Sequence, residues 1–173
     1  MIRLKDKLLI YEFDCLFSLL STDNKILTKI FSKIIIPQLV YDEFKNKMND
    51  DIQENVQKLL KEKFIILEDF EVESQEFLLY SKLIKGIECK SRGRLESAAI
   101  TIAKHNQLTI LSNRNNNLDE FDVNSVLITD FIVKEYNENI ITIDEAQVLC
   151  ENLPISCRNL LSASFTQLLL KET

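Results

Sequence analysis

The feature that most narrows the fold of this chain is a regular alternation of two patterns. Short apolar runs, LLIYEF (8–13), IIIP (34–37), FIILED (64–69), LTIL (108–111) and VNSVLIT (123–129), are separated by segments of helical period. Near-continuous apolar runs of this length are characteristic of strands buried on both faces, as in a parallel sheet covered by helices on either side. Between them NKILTKIFSK (24–33), PQLVYDEFKNK (37–47), DDIQENVQKLLKE (50–62), ESQEFLLYSKLI (73–84) and LESAAITIAKHN (95–106) place apolar residues at helical intervals. The expectation is an α/β fold: a three-layer α/β/α sandwich around a five-stranded, mostly parallel sheet, with right-handed crossovers.

Local chemistry supplies the punctuation. Pro37 is expected at the first position of the helix after the second strand, where its missing N–H costs nothing. Asp51 with Glu54, and Thr142 with Glu145, have the spacing of capping boxes. Gly86 is expected to stop the helix before it. A helix is expected at roughly 130–138 and another from the Thr142 box through Leu153. Pro154 then marks a boundary, giving a main domain over 1–153 and a C-terminal helical extension over 154–173. In the extension Leu160, Leu161, Phe165, Leu168 and Leu169 fall at helical spacing, to pack on the body or on a partner chain.

Composition bounds the chemistry. The chain has 173 residues, 46% hydrophobic and 28% charged, which suits one domain with a substantial core. The net charge of −6 argues against broad wrapping by nucleic acid. Gly86 and Gly93 are the only glycines, so glycine-rich phosphate loops are excluded. Cys15, Cys89, Cys150 and Cys157 are scattered, and His105 is the single histidine, so a zinc site has no clustered ligands and the thiols are expected to be free. No apolar run approaches the ~20 residues of a membrane span. The apolar run at the start is too short for a signal peptide, and the cytosol is the expected location. Carboxylates are abundant, which leaves carboxylate and metal chemistry.

Candidate site residues gather at one end of the expected sheet. Asp14 follows the first strand, either as its closing acid or as a helix cap, and Asn113 follows the fourth. Glu43 and Glu96 lie in the helices after the second strand and after Gly93. Open α/β sheets bind ligands at this carboxyl edge. Lys82, Lys85, Lys90, Arg92 and Arg94 form a basic cluster just before Glu96, suited to nucleic-acid phosphate.

LLIYEFDCLFSLL, IIIPQLVYDEF, GRLESAAITIAKHNQLTILSN and ENIITIDEAQVLCENL, in this order, resemble a PIN domain over residues 8–153. The resemblance implies a metal-dependent nuclease acting on RNA, of the kind found among toxin–antitoxin ribonucleases. It assigns Asp14, Glu43 and Glu96, with Asn113 assisting, as ligands of Mg²⁺ or Mn²⁺ and as the catalytic set. Lys90, Arg92, Arg94 and Arg114 would bind the nucleic acid. An antitoxin-like inhibitor protein and a homodimer are the implied partners. The chain departs from the family where Ser112-Asn113-Arg114 replaces a segment that carries an acid, with Asp119 or Asp122 as substitutes further along. The alternative function is therefore a catalytically degenerate module that binds RNA or protein. A phosphorylation receiver is a third reading, through Glu12, Asp14 and Asp69, but Lys134 falls too far into its helix for that chemistry.

Overall fold

A computed structural model describes residues 7–87, 89–115 and 117–170. Strand β1 (Lys7–Ile10) leads into helices α1 (Phe13–Leu20) and α2 (Asn24–Ile30), then β2 (Lys33–Pro37). Helices α3 (Gln38–Phe44) and α4 (Asp50–Lys61) precede β3 (Ile65–Glu68). Helices α5 (Gln75–Lys85) and α6 (Arg94–Asn106) precede β4 (Thr109–Ser112). After a 3-10 turn at Asp119–Phe121 come β5 (Ser125–Leu127), α7 (Ile128–Asn137), α8 (Ile143–Asn152), α9 (Ile155–Arg158) and α10 (Ala163–Leu170).

The strands form one five-stranded sheet in the order β3-β2-β1-β4-β5, and every pairing is parallel. The expected α/β sandwich is present, and "mostly parallel" becomes wholly parallel. Burial follows sheet position. The inner strands β1, β2 and β4 bury Leu8 to Ile10, Ile34 to Pro37 and Ile110 to Ser112, whereas the edge strands β3 and β5 stay largely half-exposed. Helix α6 packs on β2, β1 and β4, with α3 and α5 beside it. Helices α1, α4, α7 and α8 contact one another in a second group. Helix α6 buries every residue from Ser97 to Ala103, since Ala98, Ala99 and Ala103 let its backbone approach the sheet closely.

Several boundaries differ from expectation for local reasons. The first strand ends at Ile10, not residue 13, and Phe13 and Asp14 already belong to α1. Pro37 closes β2 and caps α3 rather than opening it. The cap of α4 is Asn49, whose side chain accepts from the Ile52 N–H, and Asp51 sits in the first turn. Helix α7 starts at Ile128, inside the segment expected as strand. The extension forms two short helices, with Phe165 buried but Leu160 and Leu168 exposed. Other expectations hold. Gly86 ends α5 in the left-handed conformation (φ 67°), and the Thr142–Glu145 capping box is complete. All the cysteines are free, with Cys15, Cys150 and Cys157 buried. Residues 1–6, on which the signal-peptide expectation partly rests, lie outside the described residues.

Candidate functional site

The strand order reverses between β1 and β4, because the chain builds leftward from β1 to β3 and then crosses to the other side for β4. Parallel sheets open a crevice at the carboxyl end of such a point, where the following loops part in opposite directions. The crevice here has a volume of about 610 Å³. Tyr11, Glu12, Phe13 and Asp14 line it from the β1 side, Asn113 and Arg114 from the β4 side, and Gly93 to Glu96 from the start of α6.

Register explains which acid is held inside. Ile10 pairs with Leu111, so two residues further on Glu12 stands opposite Asn113. The Glu12 carboxylate accepts from the Asn113 backbone N–H at 2.6 Å and from the Ser112 hydroxyl at 3.1 Å. Arg114 Nε lies 3.0 Å from its other oxygen. Burial raises the Glu12 pKa, and these donors offset that rise only in part. Burial and the neighbouring Glu12 push the Tyr11 phenol up to about 12. A hydrogen bond with Tyr11 is the main reason that the Arg114 guanidinium stays charged still more firmly than usual.

Glu96, in the first turn of α6, lines the crevice and meets Arg92 at 2.6 Å. Arg92 also reaches Glu120 at 2.9 Å and lies 4.9 Å from the centre of the Phe121 ring. Burial disfavours the Arg92 charge, but Glu120 and Glu96 outweigh it and raise its pKa. Its Nε is buried without a hydrogen-bond partner among the described residues. Arg92 thus spends its charge internally, tying the 119–121 turn to the central glutamate.

The remaining candidates divide between crevice and surround. Asp14 lines the crevice as an exposed first-turn acid, and no described side chain donates to its carboxylate. Glu43 is outside the lining and reaches it through Arg94, 3.3 Å away. Arg94 and Arg114 are the exposed cations of the crevice, at 64% and 62% side-chain exposure. Lys90 is exposed and away from it. Asp119 and Asp122 are exposed and do not line it. His105 is on the surface, paired with Glu76. Asp14, expected either to close the first strand or to cap a helix, does neither and lies in the first turn of α1, whereas the acid in register with β4 is Glu12. The available signal was the helical spacing of Leu16, Leu19 and Leu20, which already favours a helix beginning near Phe13.

Every charged donor toward a cation here is oxygen, with the neutral Asn113 oxygen in addition, which suits Mg²⁺ or Mn²⁺ rather than softer metals. Among the described residues no three acid, histidine or cysteine side chains form a ready-made ligand group. Arginines engage Glu12 and Glu96 instead, so cation binding requires those pairs to loosen. No family model and no curated protein matches this chain.

Proposed function

We propose that this chain is a PIN-like, metal-dependent ribonuclease that hydrolyses RNA phosphodiester bonds. The observation that carries the reading is the crevice at the strand-order reversal, which brings Glu12, Asp14, Glu96 and Asn113 together with the exposed Arg94 and Arg114. Carboxylates with nearby guanidinium groups answer both needs of the reaction: oxygen ligands for a divalent cation, and donors for the phosphate. Asp14, Glu12 and Glu96 would hold Mg²⁺ or Mn²⁺, with Asn113 offering a neutral oxygen. A bound divalent ion supplies Lewis acidity and an acidified water.

The protein's own groups position the substrate. Arg94, now on Glu43 in an exposed ion pair that costs little to exchange, would turn to phosphate oxygens, and Arg114, itself exposed, would do so by releasing the buried Glu12. Arg92 holds the Glu96 side chain at the edge of the crevice. Glu12 stays anchored to β4 through the Asn113 N–H. A cytosolic setting, an antitoxin-like inhibitor and a homodimer belong to the same proposal. The second reading, a degenerate module that binds RNA or protein, is favoured by the neutral Asn113 and by the arginine pairing of the glutamates.

Cleavage of a long labelled single-stranded RNA, with Mn²⁺ or with EDTA, separates the two. The first reading expects metal-dependent cleavage that falls at least about 100-fold in Glu96→Gln and in Glu12→Gln, the order of effect of losing a group that stabilises transition-state charge. Retention of RNA without cleavage, unaltered in either variant, would establish the second.

A further inference from the structure

Helix α1 carries an aromatic surface that the core does not use. Phe17 is 44% exposed, although the adjacent Cys15, Leu16 and Leu19 are fully packed. It lies one helical turn beyond Phe13 and three residues beyond Asp14, so it neighbours each of them on the helix surface, with Cβ separations of about 5–6 Å. Phe13 and Asp14 both line the crevice. Phe13 is braced from within by Phe44, with ring centres 5.7 Å apart, and Lys47 Nζ stands 4.1 Å from the Phe13 centroid. Across the crevice are the exposed Arg94 and Arg114. The surface therefore continues, through Phe13 and its Lys47 cation, from the open Phe17 ring to a crevice that holds Arg94 and Arg114 beside carboxylates.

We propose that Phe17 is a base-stacking platform and that the crevice takes single-stranded nucleic acid, with phosphates on Lys47, Arg94 and Arg114 and a base on the Phe17 ring. This rests on the nuclease reading of the same crevice and adds to it how the strand is seated. The charge pattern selects the occupant. An apolar protein partner would need Phe17 to sit within a wider apolar patch, whereas the exposed residues one turn away along α1 are the polar Asp14 and Ser21, and Lys47 lies on the neighbouring Phe13 ring. A polyanion with flat π faces matches both features, and stacking tolerates any base. A duplex, whose bases are already stacked on one another, offers no free face to the ring.

The test is fluorescence anisotropy with EDTA present, so that cleavage plays no part. The probes are a short labelled single-stranded RNA, the same backbone lacking bases, and the matching duplex. The wild-type chain is expected to prefer the intact single strand. Phe17→Leu, similar in bulk but without a π face, should weaken that binding by about tenfold, within the range for loss of one aromatic–base stack. It should leave the base-free strand unchanged, while Phe17→Trp retains or improves binding. Equal affinity of Phe17→Leu and wild type for the intact strand would overturn the platform and leave the nuclease reading standing. So would a wild type that cleaves with Mn²⁺ but shows no preference for strands that carry bases. A chain that neither binds nor cleaves would remove both. A change of association state in Phe17→Leu, with RNA affinity unaltered, would give this face to a protein partner and overturn the proposal.

Discussion

Glu12 shows how one side chain can be pulled in opposite directions. Burial raises its pKa, while the Asn113 N–H, the Ser112 hydroxyl and Arg114 lower it, and burial prevails. The folded chain therefore binds the Glu12 proton more tightly than the unfolded chain does. The stability this contributes is fully present below the ordinary glutamate pKa and is lost as pH rises through the raised folded value. Urea unfolding over mildly acidic pH should show that decline in the wild type and a shallower one in Glu12→Gln. An identical slope in both would assign the titration to another group. Glu12→Ala should cost about 1–3 kcal/mol, since the Asn113 N–H would lose its acceptor in a half-buried place. Asp14, on the exposed face of α1, accepts no such bond from the described residues, and Asp14→Asn should change stability by no more than about 0.5 kcal/mol.

At the scale of elements, the helix ends divide by how local their chemistry is. The Thr142 hydroxyl accepts from the Glu145 N–H at 3.2 Å, and the Glu145 carboxylate accepts from the Thr142 N–H at 2.9 Å. Thr142→Ala should cost about 1 kcal/mol, read as a shift in the unfolding midpoint. Lys29 and the Thr142 N–H lower the Glu145 pKa, so its contribution is present above the ordinary glutamate value and fades as pH falls through the folded one. Gly86 is as local. Its φ of 67° is left-handed, and a Cβ there would meet the Ser91 backbone nitrogen at 3.0 Å. Gly86→Ala should therefore destabilise by about 1–2 kcal/mol. These features were legible because each depends on residues a few positions apart. The cap of α4 was less so. Asn49 and Asp51 are both competent caps, and the choice falls to the rotation that buries Ile52, Val56 and Leu59. The onset of α7 was hidden for a related reason: Ile128 and Thr129 are buried, and an apolar residue is equally at home at a strand's end or in a helix's first turn.

At the scale of the molecule, the inner strands are the part least tolerant of change. Leu9 is fully buried on β1, between β2 and β4, and Leu9→Ala should cost about 2–5 kcal/mol in denaturant unfolding. The alternation of apolar runs with amphipathic helices was enough to give five strands in a mostly parallel sheet and the helical layers, though not the ends of β1 and β5, because burial on both faces imposes its pattern on each segment separately. The acid-rich edge was legible to the same extent, through Glu96 after Gly93 and Asn113 after the fourth strand. Only the tertiary structure decided that β1 lies between β2 and β4, and that Glu12 instead of Asp14 meets the end of β4. It alone coupled Glu12 to Arg114, Glu43 to Arg94 and Glu96 to Arg92 and through it to Glu120. The Glu12–Asn113 bond joins residues 101 positions apart. Periodicity records which face of a segment is buried but not which segment it is buried against, so strand order and long-range charge pairing exist only in the folded chain.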